Sequence, residues 1–106
     1  MALSRDFKET IQARARRDPA FRKELLREAV ESFIAGDVET GKTVLRDYIH
    51  ATVGFNDLAG GTHHSPKSLM RMLGPTGNPQ ARNLFDIVQY LQRKEKVRFV
   101  VRAAAR

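Results

Sequence analysis

The chain has 106 residues, no cysteine, and 19 lysines and arginines against 12 aspartates and glutamates, which give a net charge of +7. This length predicts one domain with a modest core, and the lack of cysteine excludes a disulfide scaffold and a thiolate zinc site. No run approaches the roughly 20 apolar residues of a membrane span, and the N-terminus lacks the apolar region of a signal peptide, so we expect a cytoplasmic protein without a membrane partner.

The charge is unevenly distributed along the sequence. Residues 1–23 hold seven basic and three acidic side chains (+4), and residues 24–47 hold three basic and six acidic ones (−3). Residues 48–62 contribute −1, whereas residues 63–106 hold nine basic and two acidic side chains (+7). A concentrated positive excess favours a polyanionic partner. A solvated basic surface is the alternative.

Two helices are predicted in residues 1–36. Ser4 or Asp6 can cap the first, and Asp18 followed by Pro19 ends it and caps the second. Gly36 is the expected residue after the second helix, because glycine adopts a positive φ at no steric cost. The inward face of this second helix is predicted to consist of Phe21, Leu25, Ala29, Val30, Phe33 and Ile34.

A third helix is predicted to begin at its N-cap, Asp37, and to end near Gly54. Its core stripe is predicted to be Val44, Leu45, Tyr48 and Ile49.

Residues 55–73 have the pattern of a helix-turn-helix. A short helix is followed by a predicted turn over residues 60–64. Ser65 is expected to cap the next helix and Pro66 to occupy its first position, where no N–H is needed. Its buried face is predicted to be Leu69, Met72 and Leu73. Its outer face, which base edges and phosphates can reach, is predicted to be Lys67, Ser68 and Arg71.

The remaining sequence predicts a loop, a helix and a strand. The loop covers residues 74–77, and Asn78 followed by Pro79 is expected to start the helix. The inward face of this helix is predicted to be Leu84, Ile87, Val88 and Leu91. Residues 97–102 then alternate in the period of a strand, with Val97, Phe99 and Val101 on one side. The rest of the chain offers no partner strand. We therefore expect these three residues to form a homodimer interface by pairing with a second copy, or alternatively to pair with a partner protein's strand.

The sequence resembles the addiction-module antidote proteins, small bacterial DNA-binding antitoxins related to the Xre-type (phage-repressor-like) regulators, in the segments LSRDFKETI, RDPAFRKELLREAVESFIAGDVETG, LRDYIHATVGFNDLA, SPKSLMRMLGPTGNP and VRFVVRA. The resemblance implies a mainly α fold of five to six helices in a single domain. Residues 1–36 would be an N-terminal helical extension, residues 37–93 the helix-turn-helix core and residues 97–102 one C-terminal β-strand. It also implies an antitoxin of a type II module that represses its own operon and neutralises a small ribonuclease toxin.

The same resemblance places the DNA contacts. The positions that face the major groove in the family are Ser65, Pro66, Lys67, Ser68 and Arg71. The loop with Gly77 and Asn78 resembles the family segment that lies along the DNA backbone, and Arg82 is a candidate for a further phosphate contact. The double-stranded operator is then expected to be an inverted repeat bound by a dimer. The alternative interpretations are that the residues of the reading helix are ordinary exposed polar residues and that the loop is a plain turn between helices.

The turn departs from the usual pattern of related regulators, which place glycine at His63 and a small apolar residue at His64. His63 is therefore expected to hold a positive φ, which is strained but allowed for histidine. A metal site at His50, His63 and His64 is disfavoured, because adjacent histidines on a turn rarely converge on one ion. No cofactor is expected.

Three acidic residues, Glu24, Glu28 and Glu31, share one face of the second helix. They are the predicted contact for a small basic toxin, with solvated helix surface as the alternative. No nucleophile, base and orienting acid are placed by a motif, so an enzyme is not expected. A phage- or plasmid-type regulator without a toxin, and a protein-only toxin inhibitor, are the alternative functions.

Overall fold

The computed structural model describes residues 5–106, with side-chain surroundings from residue 10 onward. Its helices are α1 (Arg5–Arg17), α2 (Pro19–Ile34), α3 (Val38–Ala51), α4 (Gly54–Thr62), α5 (Pro66–Met72) and α6 (Ala81–Glu95). The predicted mainly α class is confirmed. The predicted Ser4 cap lies outside the described residues, and Asp6 lies within α1 rather than at its cap. In the part of the chain that is described, no helix has the length and apolar character needed to cross a membrane.

Side-chain caps start α2 and α3 where the sequence predicts them. Asp18 accepts the N–H of Phe21 at 3.1 Å, and this bond holds the pKa of the Asp18 carboxyl below its ordinary value of 3.8. Asp37 accepts the N–H of Thr40 at 3.3 Å. Gly36 lies between the two helices with a φ of 87°, a conformation that glycine adopts without strain. The tight corner between α2 and α3 follows from these local preferences.

The core forms where α2 packs on α3, with α1 against both. Helix α4 packs against α3, and α5 and α6 pack against α4. The fully enclosed apolar side chains include Leu26, Leu45, Ile49, Leu58, Leu69, Leu73, Ile87 and Leu91. One predicted core residue is wrong, because Ile34 is 66 % exposed. The buried stripe of α2 runs through Leu25, Ala29 and Phe33, and Ile34 lies about 100° around the helix from Phe33.

The connection between α4 and α5 is shorter than predicted. Gly60 and Gly61 continue α4 to Thr62, so residues 63–65 make the connection and the predicted turn over 60–64 is wrong in its first part. A Cβ at Gly61 would overlap the Tyr90 ring on α6, so this glycine permits close packing of two helices rather than a turn. The positive φ expected for His63 is confirmed at 61°.

Helix α6 begins at Ala81, so the predicted start at Asn78 and Pro79 is wrong. Its first helical bond runs from the Leu84 N–H to the Gln80 carbonyl at 3.0 Å. Residues 77–80 adopt no helical structure, because the Lys42 side chain of α3 holds the Gly77 carbonyl by a hydrogen bond. The inward face predicted for α6 is confirmed at Ile87, Val88 and Leu91, which are buried, and at Leu84, which packs partly buried against the core.

The predicted C-terminal strand is absent from the described chain, since residues 97–106 form no β-ladder. A strand needs a hydrogen-bonded neighbour, and residues 5–106 supply none. The predicted alternation is partly kept: Val97 and Phe99 are half-buried, and the Phe99 N–H donates to Gln92 Oε1 at 2.8 Å. Val101 is 84 % exposed, so this chain alone does not bury it over α6.

A polar network of largely buried side chains joins the N-terminal helices to the end of α6. Arg22 Nε donates to both carboxylate oxygens of Glu95, at 2.8 and 3.0 Å, and Arg22 Nη1 donates to the Ala15 carbonyl at 3.0 Å. The Tyr48 hydroxyl donates to the same carboxylate. Burial, together with Glu95, raises the pKa of Tyr48 well above its usual range. The network therefore connects α1, α2, α3 and α6.

Candidate nucleic-acid interface

Helix α5 presents a polar outer face opposite its buried one. Its cap forms as predicted, with the Ser68 N–H donating to Ser65 Oγ at 3.1 Å and Pro66 at the first helical position. Lys67 and Arg71 are exposed, and Ser65 lies exposed at the start of the same helix. Pro66 and Ser68 are half-buried. Leu69 and Leu73 are fully buried, so the packing of the inner face fixes which side chains point outward.

The basic side chains of residues 63–106 have no carboxylate partner among the described side chains of residues 10–106. Glu95, one of the two acidic residues in that segment, is paired with Arg22 of α2. Of the eight basic side chains in residues 10–62, Arg14, Arg22, Arg27 and Lys42 pair with a carboxylate of the described residues, whereas Arg16, Arg17, Lys23 and Arg46 do not. Most of the unpaired positive charge among the described side chains therefore belongs to residues 63–106.

The loop after α5, residues 74–78, lies directly against the C-terminal end of that helix. The Gly74 N–H donates to the Arg71 carbonyl at 3.2 Å, and the Gly77 N–H donates to the Gly74 carbonyl at 3.1 Å. A Cβ at Gly77 would overlap the Arg71 carbonyl oxygen and lie 2.5 Å from that of Met72. Because backbone atoms occupy this space, the loop can approach α5 so closely only with glycine at position 77. Asn78 is exposed beside it.

Two basic side chains of α3, which sequence reasoning missed, hold this loop. Lys42 Nζ donates to the Gly74 carbonyl at 3.1 Å and to the Gly77 carbonyl at 2.7 Å. Arg46 Nη1 donates to the Leu73 carbonyl at 2.7 Å. A signal was present in the sequence: Lys42 stands three residues before Leu45 and is therefore on the apolar stripe of α3. A lysine on such a stripe requires buried acceptors.

The remaining predicted DNA contact, Arg82, lies in the first turn of α6 and is exposed. No side chain among the described residues caps α6, since Gln80 makes no such bond. The first-turn N–H groups of α6 therefore lie two residues closer to the C-terminus than the sequence predicted, and Arg82 lies among them.

The three histidines occupy separate environments. His63 is exposed at the end of α4, whereas the half-buried His64 has an Nε2 atom without a hydrogen-bond partner among the described residues. The His50 ring packs edge-on against Phe55 with 5.0 Å between ring centroids. Within residues 10–106, no three histidine, aspartate or glutamate side chains are grouped so that they could hold a metal ion.

The acidic face of α2, formed by Glu24, Glu28 and Glu31, is exposed as predicted but partly neutralised by its own helix. Arg27 donates to Glu24 Oε2 from Nε at 3.0 Å and from Nη2 at 2.7 Å, and it donates to Glu31 from Nη1. This pairing lowers the pKa of Glu24 and raises that of Arg27. Of these three glutamates, only Glu28 lacks an ion pair within residues 10–106. The face therefore offers less free negative charge than three unpaired carboxylates would.

Comparison with models of protein families, with curated proteins and with solved structures gave no match to this chain.

Proposed function

We propose that the protein binds a specific sequence of double-stranded DNA through the outer face of α5. The observation that carries the proposal is the exposure of Lys67 and Arg71 on a capped helix whose opposite face is fully buried. In a helix-turn-helix, a helix in this position lies in the major groove, where arginine can bond to guanine O6 and N7. The loop of residues 74–78 and Arg82 follow at the end of this helix and would contact the phosphate backbone.

The cellular role that we propose is that of a type II antitoxin, which represses its own operon and neutralises a small basic ribonuclease. The exposed acidic face of α2 supports a basic protein partner, because opposite charges speed association and favour the correct orientation. This face lies on a different helix from the candidate DNA contacts. One molecule therefore has separate surfaces for the two partners.

We further propose a homodimer in which residues 97–102 of two copies pair as antiparallel strands. Val100 and Val101 are 74 % and 84 % exposed, and their backbone groups have no ladder partner among residues 5–106. An exposed apolar segment of this kind favours pairing with another strand. A two-fold axis there would carry two copies of α5 to the two halves of an inverted repeat, whose centres lie roughly 34 Å apart.

Binding of the purified protein to the DNA upstream of its own gene tests this function. At physiological salt we expect a footprint on an inverted repeat, with affinity at least about 1,000-fold above that for a random duplex of equal length. Equal affinity for the two duplexes would contradict the proposal.

A further inference from the structure

We propose that Lys42 and Arg46 are positioning residues, which hold the loop of residues 74–78 in the conformation that meets a DNA phosphate. The inference rests on the proposed DNA binding and adds two residues that lie outside the candidate contact surface. Both belong to α3, and neither needs to touch DNA for the role. We refer to their contacts with the carbonyls of Leu73, Gly74 and Gly77 as the α3 clamp.

The clamp satisfies all three donors of a buried ammonium group. Lys42 is 2 % exposed, and its Nζ lies 3.1 Å from the Gly74 carbonyl, 2.7 Å from the Gly77 carbonyl and 3.1 Å from Glu39 Oε2. A buried charge that loses such partners is strongly destabilising, so these acceptors must remain in place around it. The two carbonyls are three residues apart, and fixing both of them fixes the conformation of the loop between them.

Arg46 extends the clamp by one helical turn. It follows Lys42 by four residues, so both side chains leave the same face of α3. Its Nη1 donates at 2.7 Å to the carbonyl of Leu73, the C-cap residue of α5. Two cations therefore lie at the C-terminal end of α5, where the helix dipole is negative and the last carbonyls lack helical partners.

The loop cannot hold this conformation by its own contacts alone. Its one internal backbone bond is the 3.1 Å bond from the Gly77 N–H to the Gly74 carbonyl. Gly77 must pass close to the Arg71 and Met72 carbonyls, and Asn78 follows it at the surface. With the clamp, the backbone of residues 77–78 is held before DNA arrives. A contact that is formed in advance avoids the entropy cost of ordering the loop during binding.

The first measurement uses the full chain without DNA. Amide hydrogen exchange is compared between the wild type, Lys42→Met and Arg46→Met. We expect exchange to accelerate about tenfold or more at the hydrogen-bonded amides of Gly74 and Gly77 in Lys42→Met, with a smaller effect in Arg46→Met and little change elsewhere. Glu39→Gln is the matched control, because it removes the charge of the exposed third partner of Lys42 and keeps both carbonyl contacts. Unchanged exchange at the Gly74 and Gly77 amides in both methionine variants would overturn the clamp.

The second measurement is the salt dependence of DNA affinity. A cation that touches a phosphate contributes about one unit to the slope of log affinity against log salt. The clamp residues act through the loop, so Arg46→Met should weaken binding about three- to tenfold while the slope stays at the wild-type value. Lys67→Gln should lower the slope by about one. A slope that falls equally in Arg46→Met would make Arg46 a direct contact and overturn the positioning role.

The two proposals fail in different ways. If the wild-type protein does not distinguish its upstream DNA from a random duplex, the proposed function is wrong whatever the exchange experiment gives. If the wild type binds its upstream DNA specifically, and both Arg46→Met and Lys42→Met bind it with wild-type affinity, the proposed function stands and the positioning role is wrong. Should Lys42→Met prove unfolded by circular dichroism, Arg46→Met, which loses one bond from a half-exposed side chain, decides both measurements.

Discussion

At the scale of single residues, Ser65 has two separable roles, as the cap of α5 and as a candidate DNA contact. Ser65→Ala removes the acceptor of the Ser68 N–H and should lower the free energy of unfolding by about 1 kcal/mol. Ser65→Asp keeps a cap acceptor and should retain stability, yet a carboxylate there should repel phosphate and weaken DNA binding. Thermal unfolding and DNA affinity of both variants check this. Equal DNA affinity of Ser65→Asp and wild type would contradict the predicted contact.

The glycines at positions 77 and 60 provide a matched pair. Gly77→Ala places a Cβ against the Arg71 and Met72 carbonyls, so it should cost about 1–3 kcal/mol and disturb the loop. Gly60→Ala adds a Cβ with nothing within 4 Å inside α4, and should be neutral or stabilise by up to about 1 kcal/mol. Chemical denaturation measures both changes. A Gly77→Ala protein as stable as the wild type would mean that the loop does not need this close approach.

Helix caps could be predicted from the sequence, whereas contacts between residues far apart in the chain could not. Asp18, Asp37 and Ser65 cap their helices as predicted, because a cap depends on a few neighbouring residues. Lys42 was missed, since its acceptors lie 32 and 35 residues away along the chain. Gly61 was assigned to a turn because local rules cannot anticipate the Tyr90 ring packing against it.

At the scale of elements, the acidic face of α2 should bind a basic partner in spite of its internal pairing. Reversal of Glu24, Glu28 and Glu31 to lysine should slow association with a small basic protein encoded beside this gene by about tenfold or more, and should leave DNA binding unchanged. Stopped-flow or surface-binding kinetics at low and high salt measure this rate.

The control for that triple variant is Arg27→Gln. It breaks the same ion pairs within α2 but frees two carboxylates, so association should become faster or stay equal. Slower association in both variants would indicate a loss of helix structure rather than of charge. An unchanged rate in the triple variant would rule out α2 as the docking face.

The start of α6 was predicted less well than its buried face. The pair Asn78 and Pro79 has the local signal of a helix start, yet α6 begins at Ala81 because the preceding loop is tied to α3. The amphipathic faces of α3 and α6 were predicted well, since their apolar periodicity is strong and the core requires it. Periodicity thus predicts which face is buried better than local signals predict where a helix begins.

At the scale of the whole molecule, the C-terminal segment should decide the oligomeric state. Deletion of residues 97–106 should convert the proposed dimer into a monomer, as measured by light scattering. Because the deletion also removes Phe99 from its place against the core, Val100→Pro is the sharper variant. It removes one backbone N–H, and Val101→Pro removes the next one. Because neighbouring N–H groups of a strand point to opposite edges, one of the two prolines must remove a ladder bond and should weaken the dimer. If both variants are folded and dimeric, the interface lies elsewhere, and α6 is the next candidate.

Alternation in residues 97–102 predicted an element that one chain cannot form. The sequence pattern is that of a strand, but the hydrogen-bonding partner is not contained in residues 5–106. Sequence periodicity reports the preference of a segment, whereas a sheet also needs a neighbour. Of the three residues on the predicted apolar side, Val97 and Phe99 are half-buried, whereas Val101 is exposed.

A panel of operators in which every base pair of one half-site is replaced in turn shows whether α5 reads DNA sequence. For the wild type, each wrong base pair should cost about 1–3 kcal/mol of binding free energy. Arg71→Ala should lose about 1–3 kcal/mol on the native operator and become indifferent at one base pair, whereas Arg82→Ala should weaken every operator alike. An Arg71→Ala protein that keeps the full wild-type preference at every base pair would show that Arg71 of α5 does not read the sequence.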